Sequence, residues 1–91
     1  MKATKIKMVK TCENSDSLLE IDSIYVIGCD NPGYFKKETL HDYLNKSHDI
    51  IQVDIAPYPR LVPVMGANGE KYVRSAPNDS DKDNLLCLPR E

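Results

Sequence analysis

Between Ala3 and Lys10 apolar and charged positions take turns, with Ile6 and Met8 on one side and Lys5 and Lys7 on the other. That two-residue period marks a strand covered on one face. Thr11 to Ser17 is polar and turn-rich. Leu18 to Ile27 then becomes strongly β-branched and aromatic through Ile21, Ile24, Tyr25, Val26 and Ile27, as a central strand would. These two segments are expected to pair as a hairpin. Gly28 to Gly33 follows and contains Asn31-Pro32-Gly33, where the fixed φ of proline and the positive φ open to glycine suit a type II turn.

A different period takes over at Lys36. From there to Ser47, Leu40, Tyr43 and Leu44 fall at i, i+3 and i+4, which lays one apolar stripe along a helix of about three turns. Its start is poorly capped, because Lys36 and Lys37 oppose the helix dipole and Glu38 only partly offsets them. Ile50 to Ala56 alternates Ile51, Val53 and Ile55 with Gln52 and Asp54, a half-buried strand ended by Pro57-Tyr58-Pro59. Arg60 to Met65 continues as a strand that Pro63 confines to an edge or a bulge. The Asn68-Gly69 dipeptide turns the chain into Glu70 to Ser75, with Tyr72 facing opposite to Lys71 and Val73. Pro77 to Asn84 reads as loop. The apolar tail Leu85-Leu86-Cys87-Leu88-Pro89 is costly to leave in water and should dock on the core.

These elements predict one α+β domain over residues 1–91, a mostly antiparallel sheet of about five strands in the order β-β-α-β-β-β with one helix on one face. The predicted core is Ile6, Met8, Ile24, Val26, Leu40, Leu44, Ile51, Val53, Ile55, Val64, Tyr72, Leu85 and Leu88.

Composition narrows the class. Hydrophobic residues make up 41% and charged residues 29% of the 91 positions, a globular mixture with room for one core. The formal net charge of −2 gives no global pull toward phosphate or acidic lipid, although Lys2, Lys5, Lys7 and Lys10 crowd one end and Asp79, Asp81 and Asp83 the other. No apolar run approaches a membrane span or a signal sequence, and Cys12, Cys29 and Cys87 are too widely spaced for a disulfide framework. A cytoplasmic protein with free thiols is expected.

Several residues later in the chain carry a resemblance. Gly69-Glu70-Lys71-Tyr72-Val73-Arg74-Ser75, an aspartate-containing loop with Asp79 or Asp81, and Asn84-Leu85-Leu86-Cys87-Leu88-Pro89 resemble the small bacterial domains of unknown function 3892. The earlier segments match in order and spacing. Cys29-Asp30-Asn31-Pro32 and the strand-interrupting Pro63 depart from the pattern. The resemblance implies a compact one-domain fold and no assigned activity.

Candidate chemistry is sparse. Asp79-x-Asp81-x-Asp83 matches three oxygen positions of a calcium loop, but Asn84 stands at the glycine position and Arg90 where the bidentate glutamate belongs. A solvated acidic loop, or an aspartate bonding loop amides, accounts for it better. His41, His48 and three scattered cysteines do not make a zinc site, and His41 reads as a helix-surface residue. Cys29, after Gly28 at the end of a strand, has Asp30 beside it, and a carboxylate raises a thiol pKa. Cys87 between leucines reads as a small buried hydrophobe. The four glycines form no phosphate loop. No enzyme, metal or cofactor is expected.

What remains is binding. A protein partner or self-association through sheet edges is the leading expectation, with no membrane partner. The alternative is single-stranded nucleic acid on a tyrosine and lysine sheet face. Tyr58, Lys71, Tyr72 and Arg74 are the candidate surface, Tyr25 a further aromatic, and Lys5, Lys7, Lys10, Lys36 and Lys37 a basic patch if the first strand meets the helix start.

Overall fold

The structure, a computed structural model, describes residues 1–77 and 83–90. Strand β1 (Lys2–Met8) pairs antiparallel with β2 (Ile21–Ile27), as their patterns predict. On the other side of β2 lies a short strand β3 (Gly33–Lys36), which runs directly into helix α1 (Lys37–Lys46). Strand β4 (Gln52–Val53) joins the far edge of β1 in parallel, so the main sheet has the order β3-β2-β1-β4. Strands β5 (Leu61–Met65) and β6 (Lys71–Ser75) form a separate antiparallel pair. The class is α+β and mostly antiparallel, with six strands in two sheets among the described residues.

Side chains on one face of the main sheet build the core. Ile6 stands opposite Ile24, Ile24 opposite Phe35, and Ala3 opposite Val26. Leu40 of α1 meets Val26 and Phe35 at one end of this face, and β5 and β6 contribute Leu61 and Val73. The docked tail supplies Leu85, Leu86 and Leu88, all buried. Its end straps β1 beyond β4: the Ile6 amide donates to Pro89 O at 2.9 Å, and the Arg90 guanidinium donates to the carbonyls of Glu13 and Ser15 at 2.9 and 2.7 Å.

Several expectations are corrected. Gly33 opens β3 instead of ending a turn; the positive φ falls on Gly28 at 82°, where an added Cβ would come within 3.2 Å of Met1 Cα. The strand expected over Ile50 to Ala56 shrinks to two residues because the chain doubles back at once. The Val53 amide donates to Pro59 O at 2.8 Å and Gln52 bridges to Arg60. In the core, Leu44 and Ile55 are only partly buried, and Val64 and Tyr72 are also intermediate. Ala3, Ile21, Leu61, Val73 and Leu86 take those places. On β6 it is therefore the Val73 face, not the Tyr72 face, that turns inward. Cys87 is exposed, and His41 is buried at 4% exposure, with Nδ1 3.3 Å from Asn45 Nδ2.

Pro63 finds an edge, since both strands of the small sheet are edges. Bonds from Ala76 N to Arg60 O and from Gly66 N to Glu70 O set the alternation. Pro63 opposite Val73 then falls at a non-hydrogen-bonded pair, where a missing N–H costs the ladder nothing. The helix start is uncapped by any side chain, with Lys36 at the N-cap.

Candidate nucleic-acid interface

The face of the main sheet turned away from α1 collects basic and aromatic side chains in rows. Directly opposed residues of an antiparallel pair share a face. Lys5 is opposite Tyr25 and Tyr25 opposite Tyr34, while Lys7 is opposite Ser23 and Ser23 opposite Lys36. Lys2 is opposite Ile27 at the next level along β2. Three residues separate Lys2 from Lys5, a spacing that would normally put them on opposite faces. The register shift between Ala3 and Lys5 absorbs the extra residue and leaves both on the outer face.

The contacts follow from these rows. Tyr25 and Tyr34 meet edge to face with centroids 5.0 Å apart. Lys5 Nζ stands 4.7 Å from the Tyr25 centroid and 6.0 Å from that of Tyr34, and Lys7 Nζ is 5.9 Å from Tyr34. Lys2 Nζ lies 5.2 Å over the ring of Tyr58, which enters this face from the loop after β4. Every cation–π contact among the described residues belongs to this one surface.

Tyr58 is held there in the left-handed region at φ 59°, which side chains other than glycine rarely adopt. Its amide donates to Ile55 O at 2.7 Å, and Gln52 Nε2 donates to its carbonyl at 3.3 Å. Strain of this kind clusters at functional positions. Two of the lysines also make surface ion pairs, Lys2 with Asp54 at 3.6 Å and Lys36 with Asp22 at 3.2 Å. Partial desolvation pushes the Asp22 carboxyl up, but Lys36 and Ser23 outweigh it and hold the group below its ordinary value.

The remaining expected site residues lie elsewhere. Lys71 reaches across to α1, with Nζ 3.0 Å from Asp42 Oδ1. Alternation along β6 puts Tyr72 and Arg74 on the opposite face from Lys71. Arg74 Nε approaches Asp83 Oδ2 at 3.9 Å. Tyr58 thus parts company with the β6 residues and joins Tyr25, Lys5, Lys7 and Lys36, while Lys37 turns to Glu38 at 3.6 Å. Tyr34 had no signal of its own, because it falls between the turn read over Gly28 to Gly33 and the helix read from Lys36.

The other candidates stay structural. Asp83 accepts from the amides of Ser75 at 3.3 Å and Leu85 at 2.9 Å, the amide-bonding role an aspartate of this loop could take. Asp79 and Asp81 lie outside the described residues. Among the described residues no three His, Cys, Asp or Glu side chains group as metal ligands, and no helix is long and apolar enough to cross a membrane. The hydrogen bond from Cys12 Sγ to Glu20 Oε2, 2.7 Å long, pushes that thiol pKa up.

No curated protein and no solved structure matches the chain. The family model described as a protein of unknown function (DUF3892) matches residues 2–89, nearly the whole chain, and the protein belongs to that family.

Proposed function

We propose that the domain is a non-catalytic binding module whose outer sheet face takes single-stranded nucleic acid. The observation that supports this reading is the cation–π cluster of Lys5, Lys7, Tyr25 and Tyr34, extended by Lys2 over Tyr58. Splayed bases stack on aromatic rings for about 1–3 kcal/mol each, and lysines on the same face follow the phosphates. The ion pairs of Lys2 and Lys36 are surface pairs, worth at most about 1 kcal/mol, so phosphate can exchange for Asp54 and Asp22 at little cost. A net charge of −2 keeps long-range attraction small, and contact on this face has to supply the affinity.

Fluorescence anisotropy with a labelled oligothymidylate of about twelve nucleotides, within the usual site sizes, tests the reading. Binding is expected at low salt, with log K falling against log salt at a slope of roughly −2 to −3 for three to four neutralised phosphates. Lys7→Glu, at an exposed position, should weaken binding about tenfold or more. A flat titration at low salt, or binding indifferent to Lys7→Glu, removes nucleic acid as the ligand of this face.

A further inference from the structure

Lys2 stands between two exposed groups on the outer face: Ile27, its partner on β2 at 40% exposure, and the ring of Tyr58 at 47%. Tyr25 and Tyr34 meet at an interplanar angle of 82°, so their rings cannot lie flat side by side under two bases and together make one platform. Tyr58 makes a second. Its carbonyl accepts from Gln52, the partner of Lys2 on β4, which holds it at the β1–β4 side of the sheet.

Strand register sets the separation. Tyr25 is level with Lys5, and Lys2 is level with Ile27, further along β2. At about 3.4 Å per residue and about 4.8 Å between strands, the Lys2 and Gln52 pair stands roughly 8–12 Å from Tyr25. Successive nucleotides of a stacked strand are only about 3.4 Å apart, so two stacked neighbours cannot reach both platforms. Each platform has its own cation, with Lys5 Nζ 4.7 Å from the Tyr25 centroid and Lys2 Nζ 5.2 Å from that of Tyr58. Ile27 adds apolar contact between them without a ring.

We infer that the outer face takes an unstacked trinucleotide unit of a single strand, its two end bases on the two platforms and its middle base over Ile27. That ligand, which rests on the nucleic-acid reading of the face, is a splayed strand and not a stacked helical one. Lys5 and Lys2 face the phosphates on either side of the middle nucleotide, and Asp54, paired with Lys2 at 3.6 Å, gives that lysine up.

The test is competition by unlabelled trithymidylates against a labelled oligothymidylate at low salt. With the wild-type domain, an abasic middle position should change affinity by no more than about twofold, and an abasic end should weaken it about fivefold or more, the lower bound for one stacked base. Tyr58→Gly, its fold checked by circular dichroism melting, should bind the intact trinucleotide as weakly as the wild type binds one with an abasic end. Equal losses at all three positions, a trinucleotide that does not compete, or a folded Tyr58→Gly domain that binds it like the wild type overturns this spacing, while binding of the labelled strand keeps the nucleic-acid reading. Failure of the labelled strand itself to bind overturns both.

Discussion

Asp83 ties the end of β6 to the docked tail. Its carboxylate accepts from the Ser75 amide, the Ser75 hydroxyl and the Leu85 amide, at the start of the 3₁₀ turn Asn84–Cys87. Removing it leaves the donors of the buried Ser75 without that acceptor, which costs about 1–3 kcal/mol. Asp83→Ala should therefore lower the melting temperature by roughly 5–20 °C in a domain of this size, read by circular dichroism. The thiols separate at the same scale. Cys87 is exposed while Glu20 pushes the Cys12 thiol up, so a thiol reagent near neutral pH should label Cys87 before Cys12, as peptide mass mapping would record. Tyr58 separates folding from binding: Tyr58→Gly relieves the φ of 59° while deleting the ring. Its melting temperature should stay within a few degrees of the wild type, with weakened oligonucleotide binding.

At the scale of elements, α1 is anchored chiefly by Leu40, at 4% exposure, with Leu44 only partly buried. Leu40→Ala should cost about 2–5 kcal/mol and Leu44→Ala measurably less, which a pair of urea denaturation curves would resolve. Of the expected stripe Leu40, Tyr43 and Leu44 only Leu40 is buried, while His41 is buried and Tyr43 exposed, but the helix span, the β1–β2 hairpin, the β5–β6 hairpin and the apolar tail were all legible, because each carries its own periodicity or turn chemistry. Two elements were not. Strand β3 is four residues long, abuts the helix without a break, and owes its place to pairing with β2, a tertiary cause that a local pattern does not contain. Ile51, Val53 and Ile55 alternate well, yet only two residues there are strand, because Val53 is bonded to the returning chain at Pro59. The site suffered from the same omissions. Lys5, Lys7, Lys36 and Tyr25 could be named from the sequence, Lys36 on the condition that the first strand meets the helix start, but their union with Tyr34 and Lys2 required β3 and the register shift in β1.

For the whole molecule, charge contributes in one direction of pH. Lys71 and then His41 hold the Asp42 carboxyl below its ordinary 3.8, Cys12 and Ser15 hold Glu20 below 4.5, and Tyr43 lowers Asp49. Each group favours the folded state when ionised. The contribution is therefore complete above these ordinary values and is lost as pH falls through the lower folded ones. Melting temperatures should stay level on this account from about pH 7 to 5 and decline below about pH 4, and Asp42→Asn should flatten part of that decline. Of the two faces of the main sheet, one closes over the core with α1 and the leucine tail, and the other carries Lys2, Lys5, Lys7, Tyr25 and Tyr34. A two-dimensional NMR titration with oligothymidylate at low salt addresses that second face most directly. The account predicts the largest shifts at Lys5, Lys7, Tyr25, Tyr34 and Tyr58. An unchanged spectrum, or shifts centred on Lys71 to Arg74, would contradict it.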